Sequence, residues 1–196
     1  FDCTVTGMEA HAGPTPMALR RDAMQVSTRI MQEVVATAMR HQPHGRGTVG
    51  MVQMFPNSRN VIPGRVKFSI DLRNATDALV DRMADEVKAF AAQVAKDSGL
   101  DVKIELVSSY PAQAFHDDCK NAVARAAAKL GYSNMPAVSG AGHDAVYMAR
   151  LAPSGMIFIP CKDGISHNEI EDAKPEHITA GCNVLLHAML ECASML

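Results

Sequence analysis

Two short segments carry the residue types that could do chemistry. Ser166-His167-Asn168-Glu169-Ile170-Glu171 and Gly7-Met8-Glu9-Ala10-His11-Ala12-Gly13-Pro14-Thr15-Pro16-Met17 each place a histidine among small and turn-forming residues, not on an apolar helix face. Histidine titrates near neutrality, and its neutral imidazole is the commonest metal ligand. His167 follows the apolar run Met156-Ile157-Phe158-Ile159 and a turn containing Gly164. Active-site groups of α/β sheets lie at such strand ends. Asn168, Glu169 and Glu171 are acceptors able to orient the ring. From local sequence alone His167 is either a metal ligand or a solvated loop histidine, and His11 either a site residue or an ordinary loop residue. Two such loops in one chain suggest a hydrolytic site.

Three further places qualify. Asn60 and Arg73 flank the clearest alternating segment of the chain. Arg73 offers a planar fork suited to a carboxylate, or else is a surface arginine paired to Asp71 or Asp77. Ser139-Gly140-Ala141-Gly142 precedes His143-Asp144. Its glycines would let backbone approach a ligand, or the segment simply opens a helix with Asp144 at the favourable dipole end. It is not a phosphate-binding P-loop, because the Lys-Ser/Thr is absent. His41, His44, His116, His177 and His187 have no comparable setting and read as structural or exposed.

The elements that must position these residues follow from periodicity. Phe1 to Thr6 alternates as a half-buried strand. Thr15-Pro16 offers a helix start, and Ala23, Ser27, Ile30, Met31, Val34 and Ala38 recur at helical spacing. Thr48 to Met54 reads as a second strand and Val66 to Arg73 as a third. Leu79, Met83, Val87, Phe90 and Val94 mark an amphipathic helix stopped by Gly99, and Val102, Ile104 and Leu106 alternate as a fourth strand. The order β-α-β-β-α-β is that of a ferredoxin-like unit, an α+β arrangement with helices on one sheet face. Lys67, Ser69, Asp71 and Arg73 would then share the open face. After a joint at Tyr110 to Phe115 the pattern changes to α/β. A helix is expected over Asp118 to Leu130, a short strand at Ala137-Val138, and a helix over His143 to Leu151. A buried strand at Met156 to Ile159 follows, with a final helix opened by Lys174-Pro175-Glu176 whose Ile178, Cys182, Leu185, Met189 and Cys192 share one face.

Composition bounds the setting. The 196 residues are 47% hydrophobic and 20% charged, with a net charge of −2, which is ordinary for a globular chain. Basic residues are scattered, so no nucleic-acid footprint is present. The apolar runs are too short to cross a bilayer, so no membrane partner is expected. Five cysteines form no CxxC pair and read as reduced thiols of a cytoplasmic protein. The chain starts at Phe1 without a methionine, so the true N-terminus is expected elsewhere.

In order along the chain stand Gly7-x-x-Ala10-His11-Ala12-Gly13-x-Thr15-Pro16-Met17, Asn60-Val61-Ile62-Pro63-Gly64, Asp71-x-Arg73, Ser139-Gly140-Ala141-Gly142-His143-Asp144-Ala145 and Ser166-His167-Asn168-Glu169. Together they resemble the hydantoinase/carbamoylase branch of the M20 zinc amidohydrolases, which includes N-carbamoyl-L-amino acid hydrolases, β-ureidopropionases and allantoate amidohydrolases. The resemblance implies a ferredoxin-like lid and dimerisation domain at residues 1–114, with the C-terminal part of an α/β zinc-peptidase-like domain at 115–196. It implies His167 as a metal ligand and His11 as a catalytic residue, with Asn60, Arg73, Gly142 and His143 at the substrate. Lid residues would help complete the site of a partner in a homodimer. Two divalent ions are implied as cofactors, zinc foremost, with manganese or cobalt as alternatives. In the family the remaining ligands and a general-base glutamate precede the lid. The chain is therefore expected to be the C-terminal half of an enzyme that hydrolyses a ureido or amide C–N bond in a small carboxylate substrate. The alternatives are a dimerising, substrate-gripping fragment without catalysis of its own, or an allantoate or aminoacylase-type activity.

Overall fold

Alternating side chains build the first sheet. The computed structural model describes residues 1–194. The chain divides into two compact units, Phe1–Ala112 and a second beginning at Gln113. In chain order the first contains β1 (Asp2–Thr6), β2 (Ala10–His11), α1 (Ala23–Arg40), β3 (Arg46–Thr48), β4 (Val52–Phe55), β5 (Val61–Ile62), β6 (Arg65–Ser69), β7 (Asp71–Arg73), α2 (Asp77–Ser98) and β8 (Asp101–Glu105). β1 lies between β6 and β8, and β4 pairs on the far side of β6, all antiparallel, giving the order β4-β6-β1-β8.

One sheet face is the core. Cys3 and Val5 on β1 meet Val66 and Phe68 on β6, all fully buried, against Val26, Ile30 and Val34 of α1 and Val87, Ala91 and Val94 of α2. Each large apolar side chain buried there contributes about 1.5–3 kcal/mol. Burial pushes the Cys3 thiol up to about 12, so it packs as a small hydrophobe and not as a nucleophile. On the opposite face Lys67 Nζ pairs with Asp2 Oδ2 across the strands at 2.7 Å.

The helix boundaries differ in one place from the sequence expectation. Thr15-Pro16 leads only into a single 3₁₀ turn, Met17–Leu19, and α1 starts at Ala23. The reason is Asp22, whose carboxylate accepts from the N–H groups of Met24 (2.9 Å) and Gln25 (3.3 Å) and so caps the true start. α2 is as expected, capped by Thr76 and ended by Gly99 at φ 65°.

Two expected strands each break in the middle. Thr48 to Met54 divides into β3 and β4, and Val66 to Arg73 into β6 and β7. The hydroxyl of Ser69 accepts from the N–H groups of Gly50 (3.3 Å) and Met51 (3.0 Å), which diverts the hairpin. Ile70 turns into the core and bonds Phe1 instead. β3 and β7 leave the sheet as a separate antiparallel ribbon, Arg46 opposite Arg73. Gly47 lets that ribbon lie on α1, since a Cβ there would stand 2.4 Å from the Val34 carbonyl oxygen. Asp71 and Arg73 therefore sit on this ribbon, not on the open face of the main sheet.

The C-terminal end of α1 and the middle of α2 are joined by charge. His41, with its side chain only 10% exposed, bonds Glu86 Oε1 through Nε2 at 2.8 Å, and Arg40 bonds Glu86 Oε2 at 3.1 Å. The hydrogen bond from His41, and then that from Arg40, hold the Glu86 carboxyl below its ordinary pKa. A carboxylate with a depressed folded pKa adds stability above its unfolded pKa and loses it as the pH falls through the folded value. Glu86→Gln is expected to cost about 1 kcal/mol or less at pH 7, given its solvent exposure, and to cost progressively less below the ordinary carboxylate range. Urea midpoints from pH 7 to pH 3 measure this; an unchanged difference across that range would contradict it.

The second unit contains α3 (Asp117–Lys129), α4 (Ala145–Ala149) and α5 (Pro175–Ala193). Small residues Ala122, Ala126 and Ala127 of α3 pack on Val184 and Ala188 of α5. Three expectations are corrected here. Ala137-Val138 and Met156 to Ile159 are irregular, and no strand occurs among the described residues of this unit. The second segment is not buried on both faces: Ile157 packs on the α3–α5 cluster while Phe158 is 51% exposed. Apolar composition alone does not make a strand, which needs a ladder partner for its backbone. The helix expected over His143 to Leu151 is only the short α4. On α5 the buried side chains are Val184 and Ala188. Ile178, Leu185 and Met189 instead line an apolar groove of about 460 Å³ with Cys119, Ile157 and Ile159. No described helix is long and apolar enough to cross a membrane.

Candidate functional site

His11 and Asn60 are brought together. β2 and β5 pair antiparallel, Ala10 opposite Ile62 and His11 opposite Val61, and the N–H of Ala12 donates to the Asn60 carbonyl at 2.8 Å. Below this tip the backbones converge, with Gly7 N–H on the Gly64 carbonyl (2.8 Å) and Met8 N–H on the Arg21 carbonyl (2.9 Å). Only glycine fits at position 7, where a Cβ would stand 2.0 Å from the Arg21 carbonyl oxygen.

The His11 ring has a defined proton. Gly13 N–H donates to Nδ1 at 3.0 Å. In the neutral ring Nδ1 is then the acceptor and Nε2 carries the hydrogen. His11 is exposed, so it presents an N–H donor at the tip. On the neighbouring segment Ser58 donates its hydroxyl to Asn60 Oδ1 at 2.9 Å, which orients the Asn60 amide with its NH₂ as the remaining donor.

Arg73 is elsewhere. The tip lies beyond Gly64, before β6, and Arg73 lies beyond Ile70, after it. Six residues of extended chain separate Gly64 from Ile70, about 20 Å at ~3.3 Å per residue. Arg73 stands on β7, three residues after Ile70, whose carbonyl accepts from the Phe1 amino group at 2.8 Å. Its Nε and Nη2 bond Asp71 Oδ1 (2.9 Å) and Oδ2 (2.7 Å), and this fork holds the Asp71 carboxyl below its usual pKa. A carboxylate is thus already the partner of this guanidinium.

In the second unit His167 occupies the exposed tip of a loop closed by Lys162 N–H on the Asp172 carbonyl at 2.7 Å. Its backbone is left-handed, φ 58°. For a non-glycine residue that costs on the order of 1 kcal/mol and is found at functional positions. Glu171 and Asn168 do not orient the ring as the sequence suggested. Glu171 Oε2 accepts from the His167 backbone N–H (2.8 Å), and Asn168 Oδ1 from that of Ile170 (3.1 Å). They hold the strained turn instead. His143 Nε2 meets Ser139 Oγ at 2.8 Å, and its ring makes an edge contact with Phe158 at 5.5 Å. At Gly142 a Cβ would meet nothing within 4 Å, so packing within the chain does not demand glycine there.

A catalytic zinc takes three protein ligands and an open position. Among the described residues no three His, Cys, Asp or Glu side chains gather in a way that could hold a metal ion. The donor set of the described residues does not by itself fit a metal.

His41 and His116 are structural, as the sequence suggested, though their partners were not read from it, and Arg20 was missed. His41 sits in the α1–α2 charge cluster, and His116 caps α3 by accepting from Asp118 N–H at 3.3 Å. Asp118 two residues later and the helical run after it were the signal for the cap. Arg20, between the His11 loop and α1, bonds that loop's carbonyls.

The profile of Peptidase family M20/M25/M40 matches residues 6–191, from β1 through α5. The chain belongs to this family. Among curated relatives, this M20 chain is 44% identical to an N-carbamoyl-L-amino-acid amidohydrolase of Rhizobium meliloti, over 100% of the chain and 47% of the relative. It is 35% identical to an N-carbamoyl-L-amino acid amidohydrolase of Geobacillus stearothermophilus, over 97% of the chain and 46% of the relative. Among solved structures, a hydantoinase/carbamoylase family amidase from Burkholderia multivorans superposes with a TM-score of 0.90 at 52% identity, covering 97% of the chain and 46% of that structure. The M20 chain thus shares the mixed α/β fold of these amidases and spans about half the length of the curated relatives it matches.

Proposed function

We propose that the full-length protein is a metal-dependent, cytoplasmic amidohydrolase that cleaves the ureido or amide C–N bond of a small carboxylate substrate such as an N-carbamoyl-L-amino acid. The observation that carries this is the His11–Asn60 tip: two N–H donors on stitched backbone, in a chain 44% identical to a carbamoylase. His11 Nε2–H donates to the carbonyl oxygen as it becomes an oxyanion, an interaction that strengthens in the transition state. Arg73 takes the substrate carboxylate in its fork, in exchange for Asp71. His167 is this chain's residue for the metal pair, zinc foremost. Gly142 and His143 lie at the substrate.

On this reading residues 1–114 form a ferredoxin-like lid, and the strand order β4-β6-β1-β8 with both helices on one face supports it. Residues 115–196 supply the C-terminal part of the metal-binding domain. The lid also dimerises. His11, Asn60 and Arg73 all lie in this lid, and as lid residues they help complete the site of a second copy.

A substrate panel on the full-length protein tests the activity. N-carbamoyl-L-amino acids are expected to give the highest kcat/KM against β-ureidopropionate, allantoate and N-acetyl amino acids. Turnover of N-acetyl amino acids alone would make it an aminoacylase. The 196-residue chain by itself is expected to retain no pair of divalent ions after dialysis and to be inactive, because its described ligands number too few. Metal analysis reads this directly, and two tightly held ions per chain would overturn the assignment of His167 as the chain's one ligand.

A further inference from the structure

The loop that carries His11 has two backbone carbonyls that the loop itself does not use. Pro14 has no N–H, Gly13 N–H is spent on the His11 ring, and Thr15 N–H reaches back to the His11 carbonyl at 3.4 Å. The carbonyls of Ala12 and Thr15, on either side of Gly13-Pro14, point instead at one guanidinium. Arg20 Nη2 donates to Ala12 O at 2.7 Å and to Thr15 O at 3.1 Å, and Nε donates to Thr15 O at 3.2 Å. The Arg20 side chain is half-buried, and a 3₁₀ turn over Met17–Leu19 brings it back over the loop, with Arg20 N–H on the Met17 carbonyl at 3.3 Å. Three N–H bonds from a rigid planar group thus fix the bend at Gly13.

That bend sets the His11 proton. Gly13 N–H reaches Nδ1 only while the loop is folded back on the ring, and a Cβ at Gly13 would already press on Nδ1 and Cε1 at 3.3 Å. With Nδ1 occupied, the ring hydrogen stands on Nε2. Opening the loop would release Nδ1, let both tautomers populate and free the ring to turn away.

We propose that Arg20 is the positioning residue for His11: by bridging the carbonyls of Ala12 and Thr15 it holds Gly13 N–H on Nδ1 and so keeps the donor hydrogen on Nε2. The tautomer part stands on the geometry alone, while its catalytic consequence rests on the oxyanion role proposed for His11. A lysine has the charge and a similar stem but no planar fork, so it cannot span both carbonyls with the same geometry.

The test uses Arg20→Lys and Arg20→Met, with wild type and His11→Ala alongside. Ring ¹⁵N correlation spectra of the full 196-residue chain at a pH where His11 is neutral read the tautomer. Wild type is expected to show a bare Nδ1 and a protonated Nε2 for His11, and both Arg20 variants a shift toward the opposite tautomer. In the full-length protein both variants are expected to lose about twofold or more in kcat, as the ring loses its fixed tautomer and orientation, with KM within about twofold and a thermal midpoint close to wild type for Arg20→Lys. If Arg20→Met does not fold, Arg20→Lys decides. A His11 ring unchanged in Arg20→Lys overturns the proposal. A shifted ring with unchanged kcat supports the positioning role, and a His11→Ala variant that also keeps its kcat in the same assay then locates the failure in the oxyanion role.

Discussion

His11→Ala in the full-length protein is expected to lower kcat by about 100-fold or more while metal content and substrate KM stay near wild type. The size follows from what the donor does. The carbonyl oxygen of a ureido group is a modest acceptor in the ground state and gains negative charge as the tetrahedral intermediate forms. A neutral imidazole aimed at it is therefore worth most at the transition state, and its loss appears in kcat and kcat/KM together. The structure supports this role in particular because Gly13 N–H occupies Nδ1, which leaves Nε2–H as a donor and removes Nδ1 as a base. Loss of metal in His11→Ala would make it a ligand instead. A raised KM with unchanged kcat would make it a ground-state contact only.

How much of this was legible in the sequence depends on the residue. The core strands announced themselves because one face is buried and the other wet: Cys3, Val5, Val66 and Phe68 alternate with Thr4 and Lys67, and the structure pairs them in that register. The stop at Gly99 was equally plain, since a left-handed helix end favours glycine. The breaks within the hairpin were not legible. They depend on the Ser69 hydroxyl capping Gly50 and Met51 from another strand, a contact between residues about twenty positions apart that no local period encodes. Met156 to Ile159 misled for the opposite reason: four apolar residues satisfy a buried strand and a groove-lining segment alike, and the ladder that would separate them is not set by composition. At the site, the residue types at His11, Asn60, Arg73 and His167 could be picked out in the sequence. The proximity of His11 to Asn60, the place of Arg73 on a separate ribbon and the backbone duty of Glu171 could not, because each is decided by contacts between segments.

Arg73→Ala is expected to raise KM for a carboxylate substrate with kcat much less affected, by about 1.5–3 kcal/mol of lost binding, or roughly tenfold to 150-fold. The fork already holds a carboxylate, Asp71, at 2.7 and 2.9 Å, so the geometry for substrate is preformed and binding is an exchange of one carboxylate for another. Unchanged kinetics would remove Arg73 from the site. The position of Arg73 at the opposite end of β6 from His11 makes a sharper test available. In an isologous dimer in which Arg73 serves its own chain and His11 serves the partner's, an Arg73→Ala subunit paired with a His11→Ala subunit contains one site lacking both residues and one site lacking neither. Random 1:1 mixing makes half the dimers hybrids, so in that case about one quarter of wild-type activity would return, read at substrate well below the wild-type KM, where both parents are nearly inactive. If both residues acted on the same site, whether in their own chain or in the partner, every site of the hybrid would lack one of them. Mixing would then restore nothing. Activity that returns in proportion to the hybrid dimers seen by native mass spectrometry would show that the two residues serve different sites, whereas proven hybrids without activity are expected if His11 and Arg73 of one lid serve one site.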